Sequence, residues 1–557
     1  MKPGSVVLGR TPISGTKGAV ACGHQTAADI GVDIIRRGGN AVDAAIAGAF
    51  ASFVVEPQMC GIGGHGRMSV YLSKTNQAVG IDHFIRAPKA ATPEMYTKAL
   101  AKWRNAGRGG VEGAINTTGH LSVGIPGTIA GLWEAHRRFA RLPWKSLVGP
   151  AIELARAGIV ADPRLTASVA GRTVEIRQYA EAAKWLLPDD APPRPANAGG
   201  AFHRFDFSDM ARTLESIAET GAAAFYGGPL AAAIDREMKA AGGLLTAEDL
   251  AGYKPDTFMQ PWYDYRGRDY VTCGDLIYVE ALNILERFDL GSLDPQGAES
   301  RHLIAEALAQ SFADNFAHAA DPRHLKAPLE GLASKAFAAE RAARIRTDKA
   351  QGKYEPGNPW PHQGSTPSVP PPPFEGTTQI VAADGDGNMA SLITSLGSAF
   401  GSLVLIPGTG VFLGNAMQWF DPRPGQANSV GPGRMPLYAA PVAIFREGAQ
   451  AIGGIAGSGG YRIPSAILCS SLNYLDYRID PQRSIDLPRL HTEGDDLEID
   501  SRTRPAVIER LKALGHPVRL VDGVGLSTAF GRPSAVWRTA DGLVPASDAR
   551  SGGVAAF

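Results

Sequence analysis

Cysteine is scarce in this chain. Its four residues, Cys22, Cys60, Cys273 and Cys469, stand far apart over 557 positions and form no Cys-x-x-Cys pair, so neither a zinc ribbon nor a disulfide framework is expected. They read as small buried apolar side chains. The twelve histidines never fall four apart as a His-x-x-x-His pair on a helix face, and no metal or other cofactor is expected. An excess of charge is missing too: 55 basic residues balance 55 acidic ones. The chain therefore has no general attraction for nucleic acid or an anionic membrane, and a small-molecule partner is expected. No run approaches the roughly 18 apolar residues that a membrane-spanning helix needs. The opening MKPGSVVLGRTPISGTKGAV lacks the apolar core of a signal peptide, so the expected location is cytoplasmic. What is present is 44% hydrophobic and 20% charged residues, the balance of a globular protein.

The first part of the chain alternates helices rich in small residues with short apolar runs. Residues 25–37 lead through Gly38-Gly39-Asn40 into 41–55, a dense apolar helix that should be buried on most sides and end at Glu56-Pro57. Cys60-Gly61-Ile62-Gly63-Gly64-His65-Gly66 then precedes a strand at 68–72. It lacks the Gly-Lys-Ser/Thr ending of a phosphate loop and runs from helix to strand, so it reads as a tight turn under close backbone packing. Helices are expected at 129–141 and 150–157, and surface helices at 213–221, 230–241 and 305–317. Beyond residue 376 the texture becomes strand and turn: a hairpin of 378–383 and 389–396 around Asp384-Gly385-Asp386-Gly387-Asn388, then strands at 404–413, 440–445 and 449–456.

That change of texture coincides with Gly376-Thr377-Thr378. The preceding stretch, GKYEPGNPWPHQGSTPSVPPPPFEG, is too rich in proline to join a sheet or a helix interior, and reads as an exposed lead-in. If the Gly376–Thr377 bond breaks, Thr377 gains a free α-amine beside its own Oγ, and nucleophile and general base sit on one residue.

Several segments, in order along nearly the whole chain, together resemble the gamma-glutamyltranspeptidase family of N-terminal nucleophile hydrolases. They are GGNAVDAA from Gly38, the turn from Gly61 to Gly66, GIPGT from Gly124, AFYG from Ala224, GGLLTAEDL from Gly242, Gly376-Thr377-Thr378, PRLH from Pro488 and ASDAR from Ala546. The resemblance implies an α+β protein with a four-layer αββα core, made as one precursor. It would cut itself into a large fragment, 1–376, and a small fragment, 377–557, that stay together as a heterodimer, alone or further oligomerised. Thr377 would attack first the Gly376 carbonyl and later a small-molecule amide substrate. Ser395 falls where the family keeps a hydroxyl bonded to the nucleophile. Gly459 and Gly460, in AGSGGYRI, fall where it keeps the backbone donors for the oxyanion.

The chain departs from the family at the substrate grip. The arginine that holds a glutamyl α-carboxylate is replaced by Phe84, with Arg86 two residues on as the alternative cation. The serine pair is replaced by Tyr438-Ala439. In LGNAMQWF, which carries Asn415, the amide and acidic positions are Ala416 and Trp419, and the asparagine after the supporting hydroxyl is Gly397. Losing a bidentate arginine removes charge-assisted bonds. Phe84, Tyr438 and Trp419 are expected to line an apolar pocket for a less charged acyl group. The expectation is an autoprocessing amidohydrolase or acyltransferase whose substrate is not a gamma-glutamyl compound. The alternatives are an unprocessed binding relative, a gamma-glutamyl enzyme with a rebuilt pocket, and a carbon–carbon bond-cleaving relative.

Overall fold

The computed structural model describes residues 10–100, 110–193, 203–364, 377–437, 439–525, 527–550 and 552–557. Two antiparallel sheets stack at its centre. The first has seven strands in the order Gly553–Ala556, Gly18–Cys22, Thr377–Asp384, Met389–Ser395, His65–Leu72, Gln77–His83 and Asp256–Met259. The second has six: Gly542–Ser547, Arg532–Thr539, Gln450–Ser458, Ala443–Glu447, Arg268–Thr272 and Tyr263–Tyr265. Helices cover both outer faces, which completes the αββα arrangement of N-terminal nucleophile hydrolases.

The two-residue period of a strand explains the layering. Within Thr377–Asp384, Ile380 and Ala382 belong to the core formed with the helices Gln25–Arg36 and Ala41–Val55. Val381 and Ala383 belong to the core between the sheets, with Ile455 and Val536. Strands from before and after Thr377 are interleaved in the first sheet: Gly18–Cys22 lies between Gly553–Ala556 and Thr377–Asp384, and Met389–Ser395 pairs with His65–Leu72. The two fragments expected from the sequence would thus share one sheet.

Helix Ala41–Val55 is buried along its whole length and fixes the strand Thr377–Asp384 at both ends. Its start carries a capping box, Asn40 accepting from Val42 and Asp43 N–H while Asp43 accepts from Asn40 N–H. Asp384, at the far end of the strand, accepts from Ala41 N–H at 3.0 Å. At the other end Glu56 accepts from Thr378 Oγ1 at 2.5 Å. Helix and strand therefore run in opposite directions, and the beginning of the strand is tied to the helix C-terminus.

Three sequence expectations change. The segment 305–317 belongs to a 21-residue helix, Ala298–His318, that is mostly buried; its polar side is covered by returning chain, where Gln351 and Tyr354 donate to Glu306 and Gly357 N–H donates to Asp314. The run 404–413 is two short strands, Leu405–Ile406 and Val411–Phe412, because Gly408 and Gly410 take left-handed φ values of 71° and 69° between them. The strand expected at 440–445 begins only at Ala443.

Candidate active site

Thr377 opens its strand and is fully buried. Its side chain shares the inner face with Gln379, which donates to Ser534 Oγ across to the second sheet at 2.9 Å. In the ladder Thr377 lies opposite Ser395, and Ser395 lies opposite His65 on the next strand. These three side chains thus stand on one rung of the sheet. Thr377 Oγ1 donates to Ser395 Oγ at 3.3 Å, and Ser395 Oγ also accepts from Gly397 N–H at 2.9 Å. Burial, then the neighbouring His83 and Arg67, holds the His65 imidazole well below its ordinary pKa, so the ring beside Ser395 is neutral.

The glycine turn before His65 presses against this rung. A Cβ on Gly64 would sit 2.1 Å from the Ser395 carbonyl oxygen, and one on Gly66 2.0 Å from that of Ile393. Close backbone approach, expected from the sequence, is the reason for these glycines. Beyond Ser395 the loop is held by Leu396 N–H donating to Met59 O and Phe400 N–H to Gln58 O.

Gly459 and Gly460 form the turn between strand Gln450–Ser458 and helix Arg462–Leu475, with φ values of 126° and 66°. Their carbonyls accept from Arg462 and Ile463 N–H, and the turn lies at the positive end of the helix dipole, where developing negative charge is favoured. A Cβ on Gly459 would lie 2.8 Å from Gly531 Cα. The position of Gly531 is in turn fixed from the C-terminal tail. Arg550 donates to the Phe530 and Gly531 carbonyls at 3.1 Å and pairs with Asp548, which also pairs with Arg489 at 2.6 Å. Burial works to raise the Asp548 pKa, but the two guanidiniums hold it far below the usual carboxylate range. The PRLH and ASDAR segments, quoted above only for their resemblance, thus meet in one buried cluster behind the glycine turn.

The expected binding residues separate. Phe84 is buried, edge-on to His65 with centroids 4.6 Å apart, and lies beside the buried pair Arg67–Asp82 at 2.7 Å. Arg86 is engaged elsewhere: its guanidinium grips both oxygens of Asp256 at 3.0 Å and lies over the Tyr253 ring. Arg323, the third arginine of this cluster, binds Asp256 and Asp321. Asn415 holds the loop itself, donating to Thr117 O and Ser398 Oγ and accepting from Ser398 N–H and Gln418 Nε2. Its Oδ1 would be 2.0 Å from a Cβ on Gly397, so Asn415 fills the space that a side chain there would take. Trp419 is nearly buried against the Tyr461 ring, with centroids 5.7 Å apart. Tyr438 and Gly376 lie outside the described residues.

Sequence reasoning did not single out Glu56, Arg164 or His65 as site residues, and the local sequence carries no signal for the first two. Nor did it foresee the buried group His302, Glu306 and His516. His302 Nδ1 and His516 Nε2 are 2.8 Å apart and His302 Nε2 faces Arg346 O at 2.6 Å. That spacing is a hydrogen bond, shorter than the roughly 3.3 Å between two nitrogens on one tetrahedral zinc.

A family model described as gamma-glutamyltranspeptidase matches residues 27–557. Among curated proteins, the Acylase ACY 1 proenzyme of Pseudomonas sp. (strain SE83) is 35% identical over 518 residues, covering 91% of this chain and 88% of the relative. The glutathione hydrolase proenzyme of Bacillus subtilis (strain 168) is 32% identical over 515 residues, covering 90% of this chain and 85% of the relative. Among solved structures, cephalosporin acylase from Bacillus halodurans superposes with a TM-score of 0.87 at 28% identity, covering 100% of this chain and 99% of that one.

Proposed function

Since this chain belongs to the gamma-glutamyltranspeptidase family and is an N-terminal threonine hydrolase, we propose that it matures by cutting its own Gly376–Thr377 bond and then hydrolyses an amide that is not a gamma-glutamyl compound. The observation that carries this reading is the Thr377–Ser395 contact of 3.3 Å on a buried rung. It is supported by the glycine turn at the start of helix Arg462–Leu475.

In maturation Thr377 Oγ bonds to the Gly376 carbonyl carbon, the C–N bond breaks, and the Thr377 nitrogen takes the proton. Water then hydrolyses the ester, leaving a Gly376 carboxylate and restoring the hydroxyl. In turnover the freed α-amine accepts the Oγ proton as the oxygen attacks the substrate amide, and the Gly459 and Gly460 N–H groups donate to the oxyanion. The leaving amine takes that proton, and water releases the acyl group from Thr377. Ser395 keeps Oγ aimed throughout.

The substrate assignment rests on charge. Around the buried Phe84 the cations Arg67, Arg86 and Arg323 are matched by Asp82, Asp256 and Asp321, so each of these three guanidiniums already has a carboxylate where a glutamyl group would need one to itself. The acylase names among the relatives point the same way. Intact-mass analysis and N-terminal sequencing of purified protein should give a fragment starting Thr-Thr-Gln-Ile, absent in Thr377→Ala. A chain that stays whole through long incubation would instead favour the unprocessed binding relative. Gamma-glutamyl-p-nitroanilide should be turned over negligibly by the matured protein; brisk nitroaniline release would refute the assignment.

A further inference from the structure

The two sheets end at neighbouring edges, Asp256–Met259 being the last strand of the first and Tyr263–Tyr265 the last strand of the second. Gln260, Pro261 and Trp262 carry the chain from one to the other. Beside this crossing lies a cavity of about 480 Å³, walled by Phe258, Met259, Pro261, Tyr263, Leu276 and Leu329. Met259 is 57% exposed, an apolar wall residue left open to solvent. None of Thr377, Ser395 and His65 is among the lining residues, so this is a place apart from the catalytic rung.

Two polar side chains of this cavity lack partners. Gln260 and Thr272 both line it and are only 5% and 4% exposed. Gln260 Oε1 accepts from Ser69 Oγ at 3.2 Å, which leaves Nε2 as a donor. Among the described residues neither that nitrogen nor Thr272 Oγ1 has a hydrogen-bond partner. Strand pairing puts both where they are. Gln260 N–H donates to Ala78 O at 2.9 Å and extends the edge ladder by one residue, until Pro261, with no N–H to give, ends it. Tyr263 pairs with Tyr270, so Tyr263 and Thr272 stand on the same face of the second sheet, the face that meets helix Leu276–Leu285. Buried polar groups without partners are costly, and a bound molecule that meets them recovers that cost.

The walls select the chemistry of that molecule. Among the described residues no lysine, arginine or histidine lines the cavity, and its one carboxylate, Glu330, accepts from Gln363 Nε2 at 3.3 Å. An anion therefore finds no counter-charge. Water can meet the two polar atoms but leaves the apolar walls uncovered, whereas a molecule with a small polar head and an apolar body serves both. We propose that the cavity is a second, non-catalytic binding site for an uncharged amide with an apolar tail. Its carbonyl oxygen accepts from Gln260 Nε2, its N–H donates to Thr272 Oγ1, and its tail lies along Phe258, Pro261 and Leu329. The proposal stands whether or not Thr377 is the nucleophile.

Calorimetry on the full-length Thr377→Ala chain, in which the expected turnover is removed, tests this with octanamide as the probe. Octanamide should bind. Octanoate should bind about tenfold or more weaker for want of a cation, and butyramide about tenfold or more weaker for its shorter tail. Gln260→Glu keeps the acceptor for Ser69 but turns the free donor into an acceptor, and should weaken octanamide by about tenfold; Thr272→Val removes only the hydroxyl and should weaken it by about three- to tenfold. No binding of octanamide would mean that water alone meets the two polar atoms, and overturns the proposal. So does binding that octanoate or butyramide matches, or that either folded variant leaves unchanged, since octanamide held at Thr377 would not respond to Gln260 or Thr272. If Gln260→Glu shows no cooperative unfolding transition, Thr272→Val decides.

Discussion

At the scale of single residues, the hydroxyl of Ser395 bonds both Thr377 and Gly397 N–H. Ser395→Ala leaves two buried polar groups without that partner, a loss of about 1–3 kcal/mol, so maturation and kcat should both slow by roughly tenfold or more. Ser395→Thr should recover much of the rate, which a purely structural defect would not show. Gly397 tests the neighbouring contact. Its φ is 97°, and a methyl there would strike Asn415 Oδ1. Gly397→Ala should therefore cost about 2 kcal/mol or more by denaturant titration. Combined with Asn415→Gly, the loss should be smaller than the sum of the two, because the second change removes the obstacle.

At the scale of elements, the helix Ala41–Val55 and the strand Thr377–Asp384 behave as one lever clamped at both ends. Glu56 is the clamp nearest the nucleophile, bonding Thr378 and pairing with Arg164. Glu56→Ala strands a buried hydroxyl and a mostly buried guanidinium, and should lower stability by about 2 kcal/mol or more and slow maturation. Near-normal maturation in that variant would mean that the clamp does not set the nucleophile. The sequence made these elements legible unevenly. The helix could be read because every residue but Asp43, which caps its start, is apolar or small and leaves it no solvent face. The hairpin could be read because Asp384-Gly385-Asp386-Gly387-Asn388 can only turn. The contacts that hold them could not be read, since Glu56 and Thr378 are separated by 322 positions and Arg489 and Asp548 by 59. Arg86 shows the opposite failure: it stands close in sequence to the replaced grip, yet strand pairing brings Asp82 opposite Asp256 and so delivers a carboxylate to it.

At the scale of the whole molecule, burial of titratable groups makes stability depend on pH in two opposing directions. His516, packed on His302, has its pKa pushed down to about 4 by burial and then by that neighbour. The folded chain keeps it neutral while the unfolded chain protonates it below about 6.5. Its contribution is complete above that value and is lost as pH falls through 6.5 toward 4, up to about 3 kcal/mol. Asp275 runs the other way. It caps helix Leu276–Leu285, accepting from Tyr278 N–H, and burial raises its pKa to about 7. Between pH 7 and about 4 the folded state binds this proton and the unfolded state does not, so acidification strengthens the fold at this site. Single variants separate the two. The stability of the parent relative to His516→Asn should decrease from pH 6.5 to 4, and relative to Asp275→Asn it should increase over pH 7 to 4, both read from denaturant midpoints of the Thr377→Ala chain so that maturation does not intervene. The slopes are the test, since each substitution also shifts absolute stability. Parallel pH profiles for parent and His516→Asn would mean that the ring is solvated and charged like an ordinary histidine, and that the His302–His516 contact between the two expected fragments is not formed as described.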